Sequence, residues 1–253
     1  MNAVAQSATV RVLTPQWPAP QGVHAAFTLR GGGVSAAPFD SLNLGEHVGD
    51  AAAAVSENRQ RVRSALRLPA EPAWLKQVHG TRVIDLDELE VPAATPADAA
   101  LARRAGRVCV VQVADCLPVL IAARDGSAVA AAHAGWRGLA AGVLEAAVRA
   151  LGVPAQGLMA WLGPGIGASH FEVGEEVREA FLAPDAAAGA AFVPNARGRW
   201  HCDLARLARQ RLAALGLHAV FGGEFCTYAD PARFYSYRRD GRCGRSAALI
   251  WLE

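Results

Sequence analysis

The 253-residue chain is predicted to fold as a single α+β domain, with a mixed β-sheet core flanked by helices. Two observations lead there. Apolar runs of strand length are interspersed with amphipathic helical stretches, without the regular alternation that builds a parallel sheet. A composition of 52% hydrophobic and 19% charged residues supplies the apolar surface for one substantial core. No internal repeat divides the chain, so residues 1–253 are assigned to one domain, with the informative motifs in about 22–253.

Each element follows from local pattern. GVHAAFTLRGGGVS (22–35) reads as a strand entering a glycine loop, and APFDSLNLGEHVGD (37–50) continues as loop. Asp50 is placed to cap a helix over 51–68 that closes at Pro69. PAWLKQVHGTRVIDLDE (72–88) reads as two short strands around His79-Gly80. The Pro- and Ala-rich stretch 91–106 is expected to be connector plus a short helix. RVCVVQVADCLPVLIAA (107–123) and SAVAAAHAG (127–135) form two β segments joined around Asp125-Gly126. An amphipathic helix over 139–152 ends at Gly152. LMAWLGPGIG (158–167) is a buried strand, and a helix follows from about Gly174. Asp203 caps a leucine-periodic helix that Gly216 stops. HAVFGGEFCTY (218–228) and SAALIWLE (246–253) are strands on either side of an Arg- and Tyr-rich loop, FYSYRRDGRCGR (234–245).

Composition limits the function. The formal charge is +2, no basic run suggests nucleic acid, and no apolar stretch suits a bilayer, so neither nucleic-acid nor membrane partners are expected. The N-terminus lacks a basic start followed by an apolar run, which makes the cytoplasm the expected compartment. Five unpaired cysteines (Cys109, Cys116, Cys202, Cys226, Cys243) read as reduced thiols. A P-loop is excluded, because the one lysine, Lys76, lies in LKQVHG. The GPGIG glycines are too close for a dinucleotide fingerprint, and neither HExxH nor the motif pair of cytidine-type zinc deaminases occurs.

What remains is a set of ligand-type residues at predicted strand ends and turns: His79 in QVHG, Cys116 in ADCLP and His133 in HAGWRG. Two imidazoles and a thiolate suit zinc, and three ligands leave a fourth position for water or substrate. A metal-free alternative makes Cys116 a nucleophile with His133 as its base. Taken singly, each residue is equally at home as a core thiol or a hydrogen-bonded histidine.

QVHG, ADCLPVL, HAGWRG, GPGIGASHFEVGEEV and CTY followed by FYSYRRDG, in this order, resemble the laccase-domain family. Its members are also called multicopper polyphenol oxidase-like proteins, purine nucleoside phosphorylases and peptidoglycan editing factors. The resemblance runs from about residue 27 to 245. It implies a fold similar to the catalytic domain of cytotoxic necrotizing factor toxins, and a zinc site at His79, Cys116 and His133. It also implies phosphorolysis of adenosine, inosine and methylthioadenosine to free base and (methylthio)ribose 1-phosphate, with adenosine deamination. The alternatives it carries are a peptidoglycan-precursor editing hydrolase and a copper-dependent polyphenol oxidase. Seven histidines, with no His-x-His pair, make a poor set of several copper sites, so zinc is the expected cofactor and copper the alternative. A non-catalytic nucleotide-sensing protein is a further possibility.

For phosphorolysis, Arg30, Arg137 and Arg238 are candidate phosphate holders, since the guanidinium fork binds phosphate bidentately. Asn43 and Gln77 are candidate readers of purine or ribose edges. Deamination requires a proton-shuttling carboxylate, for which Asp115 and Glu172 are candidates beside Cys116 and His133. The expected partners are a purine nucleoside and phosphate, bound by a monomer or weak homodimer.

Overall fold

In a computed structural model of the chain, residues 9–88 and 94–253 are described. Two short strands, β1 (Val12–Leu13) and β2 (Val23–Thr28), precede helix α1 (Ala52–Ala65). The central run is β3 (Val83–Asp85), β4 (Ala99–Ala102), β5 (Val108–Val113), β6 (Leu117–Ala123) and β7 (Val129–Ala134). Helices α2 (Trp136–Ala141) and α3 (Val143–Leu151) lead to β8 (Leu158–Leu162). Then come β9 (Glu172–Val173), α4 (Glu175–Leu182), β10 (Phe192–Pro194), β11 (Trp200–Cys202) and α5 (Leu204–Ala214). The chain closes with β12 (Val220–Gly222), α6 (Tyr237–Asp240) and β13 (Ser246–Leu252).

Two large sheets form the centre. One has the order β1-β2-β13-β5 and is antiparallel throughout. The other, β12-β8-β6-β7-β4-β3, is mixed, with parallel pairs at its two ends. A small antiparallel sheet, β10-β11-β9, stands apart. The layering follows from strand alternation. Along β5, Val108 and Val110 pack with Leu42, Val62 and Leu249 beneath α1. Cys109, Val111 and Val113 face the second sheet, where they meet Leu120, Ala131 and Trp161. The opposite face of that second sheet, with Val119, Ile121 and Ala132, is covered by Leu144 and Ala147 of α3 and by Leu207 and Leu212 of α5. The result is an α/β/β/α stack, the α+β architecture expected from sequence. Among the described residues, no helix is long and apolar enough to cross a membrane.

Five local expectations change. The alanine-rich segment after Pro96 is not a helix but strand β4, wholly buried and paired to β3 and β7. Alanine's helix preference is worth only tenths of a kcal/mol per residue, and small side chains fit a strand covered on both faces. Positions 91–93 of that expected connector lie outside the described residues. The apolar run 107–123 is two strands in different sheets, broken at 114–116, where Asp115 adopts a left-handed φ of 87°. The helix expected over 139–152 starts earlier, at Trp136, and is broken by Gly142 at φ 99°. Of the two strands expected over 72–88, only β3 forms, while Lys76 makes a single bridge to Pro96. Asp50 stands one residue outside the helix cap; its carboxylate accepts from Ala51 N, Ser35 and Asn43.

Candidate metal centre

His79, Cys116 and His133 come from three separate segments, and their ligand atoms lie within 4.8 Å of one another. Each is positioned by identifiable backbone chemistry. His133 is the penultimate residue of β7 and is 3% exposed. Cys116 leaves the 114–116 turn at the head of β6, with its sulfur 3.8 Å from His79 Nε2. His79 sits at the tip of a turn with φ 59°, a conformation that a non-glycine residue adopts only when held there.

The holder is Asp98, a fully buried residue one position before β4. One carboxylate oxygen accepts from His79 N at 2.9 Å, the other from Gly80 N at 2.7 Å and Val78 N at 3.2 Å. The first oxygen also bonds His133 Nδ1 at 2.9 Å, and the Asp98 carbonyl accepts from His133 N at 2.7 Å. Burial alone would raise the pKa of Asp98, but the bond from His133 and those from the turn outweigh it and hold the carboxyl below its ordinary value. An ionised carboxylate only accepts, so the Nδ1 of His133 carries the proton and its Nε2 is left for a ligand. A carboxylate behind a ligating histidine is the usual way a metal site fixes imidazole tautomer and direction.

Charge within the triad is coupled. Burial works against ionising Cys116, yet the positive charge of His133 and hydrogen bonds from both histidines outweigh it and depress the thiol pKa. Burial likewise opposes a charge on His133, and the Cys116 thiolate with Asp98 overcomes it, raising the imidazole pKa. The two groups therefore each favour the charged form of the other. The two imidazole rings meet edge to face, with centroids 4.8 Å apart.

A glycine keeps the site open. A Cβ on Gly135 would stand 2.8 Å from His79 Cδ2 and 3.0 Å from the Cys116 sulfur, so any side chain there would fill the space at the ligands. Two nitrogen donors and one sulfur donor, one imidazole braced by a carboxylate and a gap beside them fit a divalent metal of the zinc type with an open coordination position. Among the described residues this is the one cluster of three or more His, Cys, Asp or Glu side chains able to share an ion.

The remaining expected residues make contacts of their own. The Asp115 carboxylate accepts from Thr227 Oγ1 and from Arg238 N, both at 2.6 Å, and its carbonyl accepts from Ile166 N at 2.8 Å. It thus locks the turn that delivers Cys116. Glu172 accepts from Asn195 at 2.6 Å and pairs with Arg197 at 2.5 Å, while its carbonyl accepts from Arg238 Nη1 at 2.8 Å. Arg30 bonds Asp40 and the Pro231 carbonyl and lies over Tyr235. Asn43, fully buried, ties its own loop to Gly45, Asp50 and Arg245 N. Gln77 spends its carboxamide on the backbone of Gln112, donating at 2.8 Å and accepting at 2.7 Å. Arg137 is exposed, with its guanidinium 4.4 Å above Trp136. Asp98 is not marked in the sequence, because an aspartate among alanines carries no spacing signal. What marks it is burial, which an acidic residue tolerates only when fully paired.

A family model described as multi-copper polyphenol oxidoreductase laccase matches residues 24–253. A purine nucleoside phosphorylase of Pseudomonas aeruginosa is 57% identical over 242 residues, covering 95% of this chain and 98% of that protein. A purine nucleoside phosphorylase of Escherichia coli is 52% identical over 242 residues, with 96% and 99% covered. Among solved structures, a Neisseria meningitidis protein superposes with a TM-score of 0.92 at 48% identity, covering 96% of this chain and 99% of that one. The YlmD protein of Geobacillus stearothermophilus superposes with a TM-score of 0.91 at 30% identity, with 98% of each chain covered.

Proposed function

The chain belongs to the multi-copper polyphenol oxidoreductase laccase family, and from that premise we propose that it is a zinc-dependent purine nucleoside phosphorylase that also deaminates adenosine. One observation carries the metal: ligand atoms of His79, Cys116 and His133 lie within 4.8 Å of one another at a spot that Gly135 keeps clear. The names of relatives more than half identical over nearly their full length support the reaction class.

His79, Cys116 and His133 would hold the ion, which when bound supplies Lewis-acid chemistry. Zinc is preferred to copper because the single cluster of two imidazoles and a thiol among the described residues suits a non-redox ion, whereas multicopper oxidation needs several sites. The chain's own residues carry the rest. Asp98 fixes the His133 tautomer, and Asp115 fixes the turn beneath Cys116. Arg137, exposed on the first turn of α2 four residues beyond His133, is the proposed phosphate holder, with its guanidinium plane set by Trp136. Arg30, Asn43, Glu172 and Arg238 are proposed to shape the surrounding loops through the bonds described. In phosphorolysis, phosphate replaces the base at the ribose C1′, and the purine leaves with the bonding pair and takes up a proton.

Incubation of the zinc-loaded protein with inosine should release hypoxanthine and ribose 1-phosphate in equal amounts, and only with phosphate present. Cys116→Ala should lose both zinc and turnover. Base release without phosphate, or a full equivalent of zinc retained by Cys116→Ala, defeats the reading. The closeness of Cys116 to His133, with ligand atoms within 4.8 Å, favours a second one, a hydrolase with Cys116 as nucleophile and His133 as its base acting on an amide of a cell-wall precursor. Amide hydrolysis that survives complete chelation would select it.

A further inference from the structure

A cavity of about 530 Å³ opens between β5 and the loops on the α1 side of the sheet, outside the triad itself. Its walls include Trp74, Lys76, Val108 and Gln112. Trp74 is fixed by a hydrogen bond to Glu71 at 2.7 Å and by Arg59, whose guanidinium lies 4.1 Å over the indole. The volume falls within the range of small-molecule pockets.

Gln112 is the unusual member. It is only 6% exposed, yet its Oε1 is buried with no hydrogen-bond partner, a costly arrangement for a side chain that could otherwise be apolar. The backbone on either side is not free to relieve this, because Gln77 clamps both Gln112 N and Gln112 O. Gly45 leaves the room the carboxamide occupies; a Cβ there would stand 3.2 Å from Oε1. With no partner for Oε1 among the described residues, the amide can turn over and present either its N–H₂ or its oxygen to the cavity.

Two wall residues of the cavity are joined to the metal centre along the chain. Lys76 is three residues from His79, and Gln112 is four from Cys116. Those spans limit the Cα–Cα separations to about 11 and 14 Å.

We propose that this cavity seats the purine ring of the substrate and that Gln112 reads the six-position, donating to a 6-oxo group and, turned over, accepting from a 6-amino group. This rests on the phosphorylase reading above and adds a residue for it. One orientable amide then lets the same pocket take both adenosine and inosine, where a fixed donor or a fixed acceptor would reject one of them.

The test uses the full, zinc-loaded chain, with kcat/KM for phosphorolysis of inosine and adenosine and calorimetric titration of hypoxanthine and adenine. Gln112→Met, which keeps length and loses both hydrogen-bonding groups, should lower kcat/KM for both nucleosides and affinity for both bases by about tenfold. Gln112→Glu, an acceptor when ionised, should shift the adenosine-to-inosine ratio towards adenosine by about tenfold or more. Folded, metal-loaded variants with the wild-type ratio and wild-type base affinity overturn the assignment. A wild-type protein that binds the bases through Gln112 yet turns over neither nucleoside defeats the phosphorylase reading and leaves the pocket standing. If Gln112→Glu does not fold, base affinity of Gln112→Met decides alone.

Discussion

Asp98 Oδ1 lies 2.9 Å from His133 Nδ1, and that carboxylate also accepts the three successive N–H groups of residues 78–80. One buried side chain therefore sets the direction of one ligand and the backbone of another. Asp98→Asn should keep the fold but weaken zinc affinity by about 10- to 100-fold, measured by competition with a chromophoric chelator. Asp98→Ala, which leaves an imidazole and a turn unpaired, should destabilise the chain by about 3–5 kcal/mol in denaturant unfolding. Wild-type zinc affinity in Asp98→Asn would remove Asp98 from the site's supporting structure.

Gly135 offers a sharper steric test. Its φ of −63° is acceptable for alanine, so Gly135→Ala places strain only at His79 and Cys116, 2.8 and 3.0 Å away. We expect a folded protein with markedly reduced zinc content by elemental analysis. Gly189→Ala, whose added carbon meets nothing within 4 Å, should match wild type in both melting temperature and metal content.

Asp115 combines a left-handed φ of 87° with two 2.6 Å hydrogen bonds. Asp115→Ala loses both bonds and keeps the backbone strain, for an expected destabilisation of about 2–4 kcal/mol. Asp115→Asn, which tolerates that φ and retains an acceptor, should lose less than half as much. Equal losses in the two variants would mean that the charge, rather than the geometry, is what holds the turn.

His47 supplies the pH dependence. Burial, then the charges of Arg245, Arg59 and His133, lower its pKa in the folded chain, with Glu46 acting in the opposite sense. An unfolded chain binds a proton at this imidazole from about pH 6.5 downwards, before the folded chain does. Its contribution to stability is accordingly complete above pH 6.5 and diminishes as pH falls below that value. His47→Gln should show a smaller drop in melting temperature between pH 7.5 and 5 than wild type. An identical drop would assign the acid sensitivity elsewhere.

Much of this was legible in the sequence. His79, Cys116 and His133 stand out as ligand-type residues in the spaced motifs QVHG, ADCLP and HAGWRG, and the Asp203 cap and the Gly216 stop follow from side-chain and φ preferences alone. Other features depend on contacts distant in sequence. The turn at 114–116 is hidden inside a continuous apolar run, because Thr227 and Arg238, more than a hundred residues away, hold it. β4 reads as helix by composition and is a strand because β3 and β7 enclose it. Asn43 and Gln77 have the chemistry of substrate readers and Arg30 that of a phosphate holder, and the hydrogen bonds each makes to the chain itself cannot be read from sequence.

The bracing of the 78–80 turn has a kinetic consequence. Because Asp98 fixes His133 and the backbone of His79 while Asp115 fixes the turn that delivers Cys116, a metal ion arriving at the finished protein meets donors already in place and organises nothing further. Uptake should then be a simple second-order event without a slow conformational phase, and ions should exchange on the native protein without passage through the unfolded chain. Which ion occupies the site would be governed by supply and by the donors' chemistry, independently of the order in which the polypeptide and its metal were made.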